Sequence, residues 1–302
     1  MIPAWLAALS RVAGRSPLSL APPDATIIEF PARPAWSFAG SNSQTGMPSI
    51  MSFTLTYDAI ARRIDHSLLS PTFGGTVLEE GCRLAARYGV ASVCIKPYAV
   101  GLAARILKGT DVAVGTTIGF PHGGHSTAVK VLESRQAIAD GATELDMVIN
   151  IGQAIAGEWD AVQVDIDAVT RVAHDGGAIV KVIFENCYLN DEQKTRLCHI
   201  CGEVNADYVK TSTGYGTGGA TLDDLRLMRR ESPPHVKVKA AGGVRTLDQM
   251  IECAEIGCDR IGASRTDAIL DELIARLGLP PRNPGAATAD GGRQGQSPDS
   301  GY

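Results

Sequence analysis

Residues 207–221 read DYVKTSTGYGTGGAT. The stretch begins as a β-prone apolar run, closes that run on Lys210, and passes at once into a loop of Gly, Ser and Thr. Taken alone it is an ordinary strand end with a solvated lysine and a flexible turn. Its neighbours change the reading, because the same grammar recurs on both sides. ARRIDHSLL, VASVCIKP, DVAVGTTIGFP, ELDMVINI and AIVKVIFENC precede it, and HVKVKAAGG and DRIGASR follow, which makes eight short apolar runs with DYVKTSTG. Between them, TVLEEGCRLAARYG, GHSTAVKVLESRQAIADGA, WDAVQVDIDAVTRVAHDGG, NDEQKTRLCHICGEVNA, LDDLRLMRRES and LDQMIECAEIGC carry apolar residues at helical spacing with Gly, Asp or Asn at their ends. Strand and helix alternate throughout. Eight such units in roughly 225 residues predict an α/β protein built as a closed (β/α)8 TIM barrel, since an open doubly wound sheet has fewer strands and a glycine fingerprint after the first.

The barrel is expected over residues 56–278. Residues 1–55 are rich in Pro, Ala and Ser without a sustained period, and 279–302 are rich in Gly, Pro and Ser, so both read as disordered extensions. The first segment resembles a transit peptide only faintly, and a disordered extension, or a start at Met47 or Met51, is the simpler account of it. A formal net charge of -5 in 302 residues gives no basic excess for a nucleic-acid backbone. No apolar run approaches the ~20 residues that span a bilayer. Seven cysteines, an odd number lying inside the predicted elements, do not form a secreted disulfide framework and fit a reducing cytoplasm. Cys198 and Cys201 form a C-x-x-C without a second pair, which reads as a chance spacing in a helix.

Active sites of (β/α)8 proteins lie at the C-terminal ends of the strands. There the sequence places Asp65, Cys94 with Lys96, Thr117, Asp146, Glu185, Lys210, Lys239 and Ser264. Barrel interiors are otherwise filled by Val, Ile and Leu, so this polar set points to chemistry. Strands 6 and 7 are neighbours, which brings Lys210 and Lys239 together. Two ammonium groups about 5 Å apart at an effective dielectric near 20 repel by roughly 3 kcal/mol, or about two pK units. Burial adds to that, and a lysine that loses its proton is a nucleophile for a carbonyl. Lys237 competes with Lys239, being two residues earlier on the same strand, and is expected deeper, as a paired structural lysine. Lys181 is a secondary member of the cationic set. Asp146, across the mouth, is the candidate proton shuttle or counter-ion.

Consecutive loops supply unshielded backbone N–H groups: Thr213 and Gly214 after strand 6, Gly242 and Gly243 after strand 7, and Gly262 with the Ser264 hydroxyl at strand 8. That order fits a phosphate-bearing substrate. His122 and His125 lack the further ligands of a metal site, so no metal is expected.

These motifs carry a resemblance. From about 57 to 277 the chain resembles the deoxyribose-phosphate aldolase family through IDHSLLSPT, VCIKP, GFPHG, ELDMVIN, KVIFENCYL, VKTSTGYG, VKVKAAGGVRT and IGASR, in order. The resemblance implies a class I aldehyde-lyase that splits 2-deoxy-D-ribose 5-phosphate reversibly into D-glyceraldehyde 3-phosphate and acetaldehyde in deoxyribose catabolism, without a metal or organic cofactor. It implies Lys210 as the Schiff-base lysine, Asp146 and Lys239 as proton donor and acceptor, and a dimeric or tetrameric homo-oligomer. Some family members end in a tyrosine that reaches the site, which makes Tyr302 a fourth catalytic candidate. The chain departs from many members at Ser70, where they carry lysine, and from some at Tyr215, where they carry a basic residue near the phosphate. The competing readings are a Schiff-base aldolase for another phosphorylated sugar and a non-catalytic barrel that binds a phosphometabolite.

Overall fold

In the computed structural model, which describes residues 54–282, each of the eight apolar runs forms a strand. They are β1 (Ile64–Leu68), β2 (Ser92–Ile95), β3 (Ala113–Ile118), β4 (Glu144–Val148), β5 (Ile179–Ile183), β6 (Tyr208–Lys210), β7 (Lys237–Ala240) and β8 (Arg260–Ala263). All neighbours pair in parallel in chain order, and β8 returns to β1, pairing Gly262 with Asp65 and closing the barrel. Closure leaves no edge strand to protect. Strands buried on both faces need apolar residues at every position, which is why they read as runs rather than as alternation.

Among the described residues ten α-helices alternate with or flank the strands: α1 (Tyr57–Ala61), α2 (Gly75–Tyr88), α3 (Val100–Ile106), α4 (Thr127–Ala139), α5 (Ile151–Ala156), α6 (Trp159–Asp175), α7 (Asp191–Glu203), α8 (Leu222–Glu231), α9 (Leu247–Ile256) and α10 (Thr266–Leu277). Local chemistry fixes several starts. Asn190 with Gln193 and Thr246 with Gln249 form capping boxes at α7 and α9, satisfying orphan amides that a helix start leaves open. The six helices expected from periodicity are all present. The expectation did not include α1, α3 and α5, whose five to seven residues are too short for a 3.6-residue period to declare itself. Nor did it single out α10, although Ile269, Leu270, Leu273 and Ile274 bury a helical stripe.

The helix layer is anchored to the barrel by a buried ion pair. Lys130 of α4 lies 2.5 Å from Asp165 of α6 and donates to the Val148 carbonyl at the end of β4 at 2.8 Å. Thr127 donates to the other oxygen of Asp165. Glu133, on the same helix as Lys130, accepts the Gly119 N–H at 2.7 Å and so holds the loop after β3. No helix among the described residues is long and apolar enough to cross a membrane. The chain after α10 is described as far as Arg282, whose guanidinium lies 4.1 Å from the centre of the Tyr57 ring. The remainder of both predicted extensions, with Tyr302, lies outside the described residues.

Candidate active site

The barrel interior is built on charge. Register sets Lys210 beside Lys239 and Asp146 beside Lys181, so all four side chains turn inward. Lys210 Nζ lies 2.6 Å from Asp146 Oδ2, and Lys239 Nζ lies 2.7 Å from the same oxygen. The other oxygen of Asp146 accepts from Lys181 at 2.8 Å, and Lys181 also reaches Glu144 at 2.7 Å. Lys239 has a second carboxylate, Asp65, at 2.5 Å. Arg260, from the start of β8, pairs with Asp65 and, at 2.7 Å, with Glu144. Asp146, Lys181, Lys239 and Asp65 are at most 1% exposed, and Lys210 is 3% exposed.

Counting charges identifies the odd member. Four cations, Lys181, Lys210, Lys239 and Arg260, face three carboxylates, Asp65, Glu144 and Asp146. One buried positive charge is uncompensated if every base is protonated, and an unpaired buried charge is relieved most cheaply by losing its proton. Lys210 is the base with least support, because its one carboxylate is shared with two other lysines. Burial pulls its pKa below the ordinary lysine value, with Lys239 adding to the effect and Asp146 opposing it. Burial opposes the Lys239 ammonium too, but Asp146 and Asp65 together outweigh it and raise its pKa. Burial likewise opposes ionisation of Asp146, and Lys181, Lys210 and Lys239 reverse this, holding its carboxyl well below the usual range. The lysine repulsion expected from sequence is therefore present, but desolvation is the larger cause.

Several residues occupy places that the sequence did not indicate. Lys237 is not buried beneath Lys239. It is exposed at the start of β7, its ammonium 5.6 Å from the Tyr208 ring, because the strand begins at the N-terminal mouth of the barrel. Asp65 is enclosed by Lys239, Arg260 and the Ser92 hydroxyl, so its carboxylate serves as a counter-charge beneath the lysines. The Cys94 thiol lies 3.9 Å from Asp146 Oδ2, and burial, with Asp146, pushes its pKa up to about 11. His66 donates or accepts at Thr266 Oγ1 at 2.8 Å, and burial takes its pKa down to about 4. Lys96 is tied to the carbonyls of Ser70 and Phe73, bracing the loop after β1. Among the described residues no group of three or more His, Cys, Asp or Glu is placed to hold a metal ion.

The glycine loops meet above the lysines. Gly242 has φ +85°, and a Cβ there would stand 2.9 Å from the Gly219 Cα, so the loops after β6 and β7 touch backbone to backbone. The Ala220 N–H donates to the Gly242 carbonyl at 2.9 Å. Gly243 has φ +87° with open space around it, and Ser264 is exposed just before α10, whose first turn has no side-chain cap. Gly262 is half-buried within β8. Gly214 has φ +87°. The Thr213 hydroxyl is committed elsewhere, donating to the buried carboxylate of Glu185. Sequence reasoning missed the partners Glu144 and Arg260. A signal existed in ELDMVIN, where Glu144 and Asp146 are two apart on one strand and so share a face.

A family model for DeoC/LacD family aldolases matches residues 60–273. The chain belongs to that family. It is 56% identical over 224 residues to the deoxyribose-phosphate aldolase of Rhodopirellula baltica, covering 74% of this chain and 93% of that protein. It is 51% identical over 207 residues to the deoxyribose-phosphate aldolase of Thermococcus gammatolerans, covering 68% and 92%. Among solved structures, the tetrameric deoxyribose phosphate aldolase of Aeropyrum pernix superposes with a TM-score of 0.69 at 29% identity over 73% of this chain and 93% of that one.

Proposed function

We propose that this chain is a deoxyribose-phosphate aldolase that works through an imine on Lys210. The observation that carries the reading is the asymmetry of two lysines on one carboxylate oxygen: Lys239 has a second counter-ion and Lys210 has none. Lys210 is then the base that is neutral and nucleophilic.

The open-chain aldehyde of 2-deoxy-D-ribose 5-phosphate accepts the Lys210 nitrogen at C1. Lys239, held protonated, supplies the proton with which the carbinolamine loses water, and Asp146 orients both nitrogens. The iminium restores the positive charge that burial had driven from Lys210, so it is a strong electron sink. The 3-hydroxyl proton passes to Lys239, left neutral by that donation, and the C2–C3 bond breaks. The electron pair moves into the enamine, and D-glyceraldehyde 3-phosphate leaves. Protonation of the enamine and hydrolysis of the imine release acetaldehyde and regenerate the Lys210 amine. The amides of Gly214, Gly242, Gly243 and Gly262 with the Ser264 hydroxyl form the proposed phosphate seat, helped by the N-terminus of α10. Asp65 and Cys94 lie beneath and beside the lysines and tune them in place of touching the sugar.

Self-association into a dimer or tetramer belongs to the same proposal. Val129 and Leu132 on α4 and Val164 on the adjoining α6 are exposed apolar side chains that a second copy would cover. Seven free thiols fit a reducing compartment such as the cytoplasm.

The test is product identity. With 2-deoxy-D-ribose 5-phosphate as substrate, acetaldehyde release is read by alcohol dehydrogenase and NADH oxidation. Release of acetaldehyde is the expected result. Release of a different carbonyl compound from another sugar phosphate, with none from this one, replaces the substrate, and binding without turnover of any sugar phosphate rejects an aldolase.

A further inference from the structure

Glu185, at the mouth just past β5, holds a left-handed backbone with φ 59° and ψ 63°. The other non-glycine residue with positive φ among the described residues is Asn205, a type that tolerates it. A strained, buried glutamate at the barrel mouth, in no ion pair with Lys210, asks for a reason. Its carboxylate accepts the Thr213 N–H at 3.2 and 3.3 Å and the Thr213 hydroxyl. The chain of contacts then continues away from it. Thr213 Oγ1 accepts the Tyr215 N–H at 2.9 Å, and the Tyr215 hydroxyl donates to the Leu69 carbonyl after β1 at 2.8 Å. The Tyr215 ring meets Phe120, from the loop after β3, edge to face with centroids 5.4 Å apart. Loops after β1, β3, β5 and β6 are thereby joined, with Glu185 as the carboxylate that holds the loop after β6. The fit is close: a Cβ on Gly216 would stand 3.0 Å from the Glu185 carboxyl carbon and 2.9 Å from Cys187 Sγ. The cavity left between Pro121, His122, Glu185, Thr213 and Tyr215 is about 10 Å³, room for about one water.

We propose that Glu185 is a positioning residue for substrate: through Thr213 it sets the loop after β6 in the one conformation that receives the phosphorylated sugar beside Lys210. The proposal rests on the aldolase reading above. Glu185 does not touch the reacting atoms, so its removal acts on substrate binding and leaves imine formation with a small aldehyde in place. Gln is a conservative replacement, because its amide oxygen accepts the Thr213 N–H and its NH₂ donates to a hydroxyl that has a second lone pair for Tyr215.

The experiment compares Glu185→Ala, Glu185→Gln and Thr213→Val with the unmodified full chain, at a temperature well below each Tm. Two readouts are taken: kcat and KM for 2-deoxy-D-ribose 5-phosphate, and borohydride trapping of acetaldehyde on Lys210. Glu185→Ala is expected to raise KM about tenfold or more with kcat within about threefold, and to trap acetaldehyde like the unmodified chain. Glu185→Gln restores most of KM, and Glu185→Ala combined with Thr213→Val is no worse than the weaker single variant, because both act through one contact. Unchanged KM in Glu185→Ala, a Gln variant as impaired as the Ala variant, or additive effects overturns the proposal. So does loss of the trapped adduct with KM intact, which would place Glu185 on Lys210 itself. If the unmodified chain traps no acetaldehyde, the aldolase reading falls first and takes this one with it.

Discussion

Lys210 and Lys239 are both buried and share one carboxylate oxygen, and their carboxylate partners differ by Asp65. That difference yields a directional prediction. Lys239→Leu removes the positive charge that lowers the Lys210 pKa and leaves Asp146 freer to pair with Lys210, and both effects raise it. The pH dependence of acetaldehyde trapping should therefore move to higher pH in the variant, and a profile that stays or moves lower contradicts the assignment. Asp146→Asn strips three buried lysines of a counter-ion. Breaking a buried pair costs about 3–5 kcal/mol, which urea denaturation at neutral pH would read. The Asp146 carboxyl has a folded-state pKa below its unfolded value of about 3.9, so its contribution is complete above that pH and is lost as pH falls through the folded value. The stability gap between the two proteins should narrow on acidification. Lys210, Lys239 and Asp146 were legible in the sequence because charged residues inside apolar strands are conspicuous. Arg260 was not, since a cross-barrel partner leaves no mark on local spacing, and Glu185 stood out as a strand-end carboxylate while its strained φ and its bond to Thr213 did not.

At the scale of elements, α4, α6 and the end of β4 are held by Lys130 and Asp165, a pair at 0% and 4% side-chain exposure. Lys130→Met leaves Asp165 buried and unpaired. Its expected cost is about 3–5 kcal/mol in chemical denaturation, and adding Asp165→Leu should recover part of it, because an apolar pair of similar volume avoids the desolvation penalty. A single variant as stable as the parent would mean that the pair has no net effect on the helix layer. The long helices could be read from the sequence by their apolar stripes and caps, while α3 and α5 could not, being shorter than two turns. Strand β6 also proved shorter than its apolar run, three residues ending at Lys210, because the chain must turn away there to bring Thr213 to Glu185.

The whole molecule was predictable as a barrel because eight repeats in order admit one closed arrangement, and the β1–β8 pairing completes it. What no repeat encodes is the content of the barrel, where three carboxylates and four cations replace much of the apolar filling. The chain end enters at this scale as well. If Tyr302 relays protons, its deletion slows solvent deuterium incorporation into acetaldehyde while imine trapping is kept, and an unchanged exchange rate removes Tyr302 from the reaction. The central claim is that the neutral base in the barrel is Lys210. Borohydride reduction of the intact chain with 2-deoxy-D-ribose 5-phosphate or acetaldehyde, followed by peptide mass mapping, tests it most directly. The account predicts the adduct on Lys210, whereas an adduct on Lys239, or none on any lysine, would contradict it.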